Sequence, residues 1–162
     1  MEDTLIIGAG NLLFTDDGVG IHAIRRLEQA VDLPGGVEIL DGGTLGLNLL
    51  GYLEGVRSLL IIDAMDTGRP PGTVVRLAGD RVPAYFSLKI SPHQVSIPDL
   101  LLAARLVDLY PQDLVILGVQ PESTATGLEL SPSVAAQLDR LVSLAIDEVR
   151  RMKAQSTASV MR

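Results

Sequence analysis

The chain has no cysteine and no tryptophan, and only two histidines, three tyrosines and two phenylalanines among its 162 residues. Without cysteine there is no disulfide, no thiol nucleophile and no thiolate metal ligand, which suits the reducing cytoplasm expected as its compartment. Any metal site must therefore be built from His, Asp, Glu, backbone and water. Lys and Arg number 13 against 20 Asp and Glu, a formal net charge of −7. A chain this acidic and this poor in aromatics has neither the basic footprint nor the stacking platforms of a nucleic-acid binder. Its longest apolar runs, such as Leu59 to Ile62, fall far short of the ~20 residues that a membrane span needs. The start, Met1-Glu2-Asp3-Thr4, lacks the basic flank and apolar stretch of a signal peptide. Walker-type Gly-Lys-Ser/Thr, Gly-x-Ser-x-Gly and His-Glu-x-x-His are all missing too.

What remains is apolar and regularly spaced. The hydrophobic fraction is 47%, and a chain of this length buries roughly 70% of its unfolded surface, enough for one domain without staples. Short apolar runs at Leu5–Ala9, Val37–Leu40, Ser58–Ile62, Thr73–Leu77 and Leu114–Val119 read as five strands, several buried on both faces. Between them lie helical patterns. The first runs from Gly18 through Ile24, Leu27 and Val31, with Asp16 or Asp17 as N-cap. The second is a short, glycine-weakened stretch from Leu45 to Leu53 capped by Thr44. The third follows a capping-box-like Ser96…Asp99 and runs through Leu106. Ser131-Pro132 opens the last helix, whose stripe is Val134, Leu138, Leu141, Val142, Ala145, Ile146 and Val149, closed by Arg150, Arg151 and Lys153. Alternating strands and helices predict an α/β three-layer sandwich, a mostly parallel five-stranded sheet with helices on both faces. One domain over residues 1–153 and a frayed tail over 154–162 are expected.

The richest stretch is Gly8 to Gly20, Gly-Ala-Gly-Asn-Leu-Leu-Phe-Thr-Asp-Asp-Gly-Val-Gly. It begins like a dinucleotide fingerprint, but Leu13 stands where the third glycine belongs, and two acids at a helix start repel phosphate. Asp17, Asp41 and Asp63 each follow a strand, so one rim of a parallel sheet gathers them, and ligands bind at that rim. Any one such Asp is ordinarily a cap or a turn residue. Asp16 and Asp17 cannot both be the same cap, however, which leaves one for other work. His93, after Pro92 in an irregular segment, can be aimed at a site, whereas His22 falls within the first helix. Two carboxylates and an imidazole with open positions suit nickel, zinc, manganese or ferrous iron. Asp66-Thr67-Gly68 matches the triplet of aspartic proteases, but that mechanism needs two facing triplets in an all-β scaffold, so a turn is expected.

Four motifs taken together in order are more specific. The Gly8–Gly20 stretch, Asp41-Gly42-Gly43-Thr44, Ile62-Asp63-Ala64 and Ser91-Pro92-His93-Gln94 resemble the hydrogenase maturation endopeptidases. Leu47 to Tyr52 and Gly118-Val119-Gln120-Pro121 resemble those members serving uptake nickel–iron hydrogenases. The resemblance covers about residues 4 to 150. It implies a twisted sheet flanked by helices and an endopeptidase that removes a C-terminal extension from the precursor of a nickel–iron hydrogenase large subunit. Such enzymes act once nickel is inserted, so the metal arrives with the substrate as a recognition element. By position the resemblance assigns nickel contact to Asp17, Asp63 and His93, and a functional acidic role to Asp41. Many relatives carry Glu where this chain has Asp17. Two other readings stand beside it: a metal-binding maturation chaperone without proteolysis, which uses the same ligands, and a nucleotide-binding α/β module, motivated by Gly8-Ala9-Gly10.

Overall fold

The computed structural model describes residues 3–83 and 97–161. Five strands, β1 (Thr4–Ala9), β2 (Val37–Gly43), β3 (Ser58–Ala64), β4 (Val74–Ala78) and β5 (Asp113–Val119), form one sheet in the order β2-β1-β3-β5-β4. The β1–β2, β1–β3 and β3–β5 pairs are parallel, and only the edge strand β4 runs antiparallel to β5. The helices are α1 (Val19–Leu27), α2 (Ile97–Leu106), the single turn α3 (Pro132–Ala135) and α4 (Leu138–Val160).

The three central strands explain their own composition. Successive side chains of a strand point to opposite faces, and in β1, β3 and β5 both faces are covered. Ile6, Leu60, Ile62, Val115 and Leu117 pack with α1 and α4, in a core that includes Ile24, Leu27, Leu141 and Val149. Leu5, Ile7, Leu59, Ile61, Leu114 and Ile116 face the other layer, where Leu49, Leu53, Leu100 and Leu101 meet them. A strand buried on both sides reads as an unbroken apolar run, which is why Leu59 to Ile62 carries no alternation. The three-layer α/β arrangement read from the sequence is thus the one observed.

Several local expectations differ from what is found. α1 ends at Leu27, and Val31 is 98% exposed rather than part of the core stripe. Bonds from Gln29 N to Arg26 O and from Ala30 N to Leu27 O tighten the last turn and stop the helix. Residues Gly46–Leu53 form a 3-10 helix in which Leu45, not Thr44, is the N-cap, with no side-chain cap bond. Gly46 at φ +48° breaks the helical start that a Thr44 cap needs. The final helix is split: Ser131 precedes α3, but its hydroxyl is engaged elsewhere and caps nothing. α4 then runs on to Val160, beyond the end expected at residue 153. Lys153 Nζ donates to Gly36 O at 2.9 Å and Ser156 Oγ to Asp3 Oδ2 at 3.0 Å, so the last turns are tied to the body of the protein.

The approach of α1 to the sheet decides what reaches the rim. Gly8 lies under Gly20, and a Cβ built on Gly20 would stand 2.2 Å from Ile62 O and 2.5 Å from Ala9 O. Backbone atoms cannot swing aside as side chains can, so only glycine permits this contact. Gly20→Ala is accordingly expected to cost at least about 2 kcal/mol, as over-packing of a tight contact does. It should also depress activity beyond its stability loss, because Asp17 lies in the turn that leads into α1 and shifts when the helix does. Urea unfolding together with activity at a temperature where the variant stays folded checks this.

Candidate active site

After β1 the chain turns through Gly10, at φ +126°, where a Cβ would lie 1.8 Å from Asp17 O and 3.5 Å from Asp63 Oδ1. The loop then enters a 3-10 turn, Thr15–Gly18, ahead of α1. Asp17 is half-buried at the rim, and its Oδ2 accepts a bond from Asn11 N at 2.9 Å. Neither Asp16 nor Asp17 caps α1: the N-cap is Gly18, with no side-chain bond, which corrects the cap read from sequence. The bond to Asn11 N also bears on phosphate, since a carboxylate already occupies an amide of the glycine loop.

Asp63 is the penultimate residue of β3, paired with Gly118 of β5. Its Oδ1 accepts from Ala64 N at 2.8 Å. Burial chiefly, and the nearby charge of Asp17 next, push its carboxyl up to about 7, against the smaller opposing pull of that amide. Asp17 is also raised, by burial, with the Asn11 amide opposing. Two carboxyls at one rim that resist joint ionisation are a familiar mark of a site that handles cations or protons.

Asp41 belongs to β2, which continues through it to Gly43 rather than ending at Leu40. Its register partner is Gly8, which on the other side pairs with Ile62, so β1 separates it from the strand of Asp63. It is exposed, and Oδ1 accepts from Gly43 N at 3.0 Å. Among the described residues no three His, Asp or Glu come close enough to hold a metal ion. Asp41 therefore does not join Asp17 and Asp63 as a third ligand. His93 lies outside the described residues. His22 is half-buried in α1, and its Nε2 has no hydrogen-bond partner among the described residues. Burial first, then Arg25 and Arg26, lower its tendency to take a proton.

Asp16 proves to be structural. It is fully buried, and Oδ2 accepts from Glu122 N at 2.9 Å, Ser123 N at 3.1 Å and Ser131 Oγ at 2.7 Å, while Oδ1 accepts from Ser131 N at 2.8 Å. Burial works to raise its carboxyl, but these four bonds outweigh it and hold it below the usual value. The same loop is pinned by Thr15 N to Gly127 O at 2.9 Å and Thr15 Oγ1 to Ala125 O at 2.6 Å, which sustain a β-branched residue at φ +49°. The two acids thus divide their work, one fastening the loop and the other facing the rim. Beside Asp17, the pinned loops leave Leu13, Phe14 and Leu128 exposed at 57%, 42% and 68%.

Gln120, buried at the exit of β5, had no role in the sequence reading beyond its place in a family stretch. Its Oε1 accepts from Thr67 N at 2.7 Å and Thr67 Oγ1 at 3.0 Å, and its Nε2 donates to Asp66 Oδ1 at 3.2 Å. Asp66-Thr67-Gly68 is indeed a turn, with Gly68 N donating to Asp66 Oδ1 at 3.2 Å and Gly68 at φ +71°.

A family model described as hydrogenase maturation protease matches residues 21–148. The chain is 43% identical over 136 residues to the hydrogenase 2 maturation protease of Escherichia coli (strain K12), covering 83% of each. It is 39% identical over 151 residues to the hydrogenase expression/formation protein HupD of Rhodobacter capsulatus, covering 92% of this chain and 72% of that one. Its fold superposes on the hydrogenase maturating endopeptidase HybD from E. coli with a TM-score of 0.85 at 39% identity, over 92% of this chain and 93% of that one.

Proposed function

Because this chain belongs to the hydrogenase maturation protease family and is an endopeptidase of that kind, we propose that it removes the C-terminal extension of a nickel–iron hydrogenase large-subunit precursor, of the uptake type, after nickel has been inserted. The observation that carries this reading is the carboxyl pair at the rim, with Asp63 pushed up to about 7 by burial and by Asp17. Such a pair holds two negative charges poorly unless a cation stands between them. Nickel fixed in the precursor supplies that cation, so a loaded precursor gains an attraction that an empty one lacks. Asp17 and Asp63 contact the nickel in this reading, with His93, assigned by resemblance, as the third contact. Two carboxylates alone are too few ligands to trap free nickel tightly, which favours metal already held by the substrate.

Asp41 stands apart from the pair and serves the peptide side. Its exposed carboxylate can take a proton from the attacking water as the water oxygen bonds to the scissile carbonyl carbon. The leaving amine recovers a proton as the C–N bond breaks. Leu13, Phe14 and Leu128 give the adjacent polypeptide an apolar shoulder. No described helix is long and apolar enough to cross a membrane. We assign the reaction to the cytoplasm, in keeping with a cysteine-free chain.

The test compares nickel-loaded with nickel-free precursor and reads the mass of the large subunit. Cleavage of the loaded form alone is expected. Cleavage of both forms, or a stable complex whose subunit mass never changes, overturns the reading, the latter in favour of a chaperone without proteolysis. His93→Ala is expected to reduce processing by at least the roughly 10- to 100-fold that loss of a group supporting a metal ligand costs, and His22→Ala to leave it nearly intact. Because an engaged imidazole must be unprotonated, processing should fade as pH falls through about 6.

A further inference from the structure

Asp17 and Asp63 lie on different elements, and no direct side-chain bond between them fixes their separation. Both of their segments are nonetheless fastened to one stretch, Gln120 to Ser123, at the exit of β5. On the Asp63 side, Met65 N donates to Val119 O at 2.9 Å, and the Gln120 amide then grips Thr67 through its N–H and its hydroxyl. Gln120 N donates to Thr73 O at 2.9 Å and Gln120 O accepts from Gly72 N at 2.8 Å, so both ends of the loop leaving β3 close on this residue. On the Asp17 side, the amides of Glu122 and Ser123 hold Asp16, and Asp16 N returns a bond to Ser123 O at 3.1 Å.

We propose that Gln120 is a positioning residue for the proteolytic reaction: with the Glu122 and Ser123 amides it forms a fork that sets the separation of the Asp17 and Asp63 carboxylates. The choice of side chain follows from the bonding. The site calls for an oxygen that accepts twice from Thr67 and a nitrogen that donates to Asp66, and only a primary amide offers both at once. A carboxylate there would turn a donor towards Asp66 into a repulsion. A hydrocarbon would leave the Thr67 N–H without its acceptor. Carboxylates that must share one cation tolerate little error in spacing, since a 1 Å misplacement can cost 10²-fold in rate.

This inference rests on the nickel-dependent reading for its kinetic test but not for its structural one. Gln120→Met keeps the volume and removes the amide. With nickel-loaded precursor, kcat is expected to fall about 10- to 100-fold, while KM changes less than about threefold, measured well below the melting temperature. Thr67→Val should reproduce a lesser part of the loss, Thr67→Ser should retain activity, and Gln120→Met with Thr67→Val should be no worse than Gln120→Met alone, because the two share one set of bonds. Crystal structures of the wild type and of Gln120→Met should show the Asp17–Asp63 separation changed. An unchanged separation, or a loss of activity that only follows the loss of folded protein, overturns the proposal. If the wild-type protein ignores nickel in the precursor, the functional reading falls while the carboxylate separation still decides this one.

Discussion

Asp63→Asn is expected to abolish processing, by about 10²- to 10⁴-fold, the range for losing a group that handles charge in the reaction, and at the same time to make the protein more stable at pH 8. The two effects share one cause. In the folded protein the Asp63 carboxyl sits at about 7, whereas in the unfolded chain it returns to its ordinary 3.8. Between those values the folded state binds the extra proton, so stability is greatest at the acid end and declines as pH rises from about 4 to 7. Above that window the fold carries a buried charge beside Asp17 that an amide of the same shape does not impose. Thermal melts of the wild type and the variant at pH 5 and pH 8 measure this. The variant should gain at pH 8, by about 2–4 °C for each kcal/mol of relieved repulsion, and the gap should narrow at pH 5. His22 works in the opposite direction near pH 6, because its folded form resists protonation; comparing the two proteins cancels it. A variant that melts below the wild type at pH 8 would show that Asp63 is a stabilising group and not a strained functional one.

Asp16→Ala, one residue from Asp17, should fail for a different reason. Removing the carboxylate strands the amides of Glu122, Ser123 and Ser131 and the hydroxyl of Ser131. Each unpaired buried group costs about 1–3 kcal/mol. Water can reach the partly exposed ones, so a total of at least about 3 kcal/mol is expected, or a melting temperature lower by about 6–12 °C. Asp17→Ala, by contrast, removes a carboxyl that burial has raised, and should leave stability unchanged or improved. The pH dependence is opposite to that of Asp63: a carboxyl held below its ordinary value stabilises the fold above about pH 4 and loses that contribution as pH falls through its depressed value. Urea unfolding of both variants at pH 7 separates the adjacent acids. Equal losses for Asp16→Ala and Asp17→Ala would deny the division of labour between them.

The longer-range anchoring of α4 has a similar electrostatic logic. Glu148 is nearly buried between Arg76 of β4 and Arg151, and Arg151 also reaches Asp113 at the start of β5 with two bonds of 3.1 Å. These partners tie the antiparallel edge strand to the C-terminal helix, on the layer opposite α2. Arg76 fits that role because its guanidinium meets the Glu148 carboxylate with two bonds, of 2.7 and 2.8 Å.

By itself the sequence determined the order of elements, the doubly covered character of β1, β3 and β5, and the meeting of Asp17 and Asp63 at one rim. These follow from local pattern: short unbroken apolar runs bounded by turn residues suit strands covered on both faces, and parallel strands bring their exits to the same side. Only the tertiary structure showed that Gly20 is a point of close approach, against Ile62 O and Ala9 O. The tertiary structure alone decided which of two adjacent acids faces the rim, that Asp41 stands apart from the pair, and that Gln120 holds the loop beyond Asp63. It also carried α4 to Val160. Each of these outcomes depends on partners distant along the chain: Asp16 meets Ser131 across 115 positions, and Ser156 meets Asp3 across 153. Hydrophobic periodicity records how a segment meets the core, and it is silent on which distant amide will find a given carboxylate. That pairing is settled only when folding brings the exits of β1, β3 and β5 side by side.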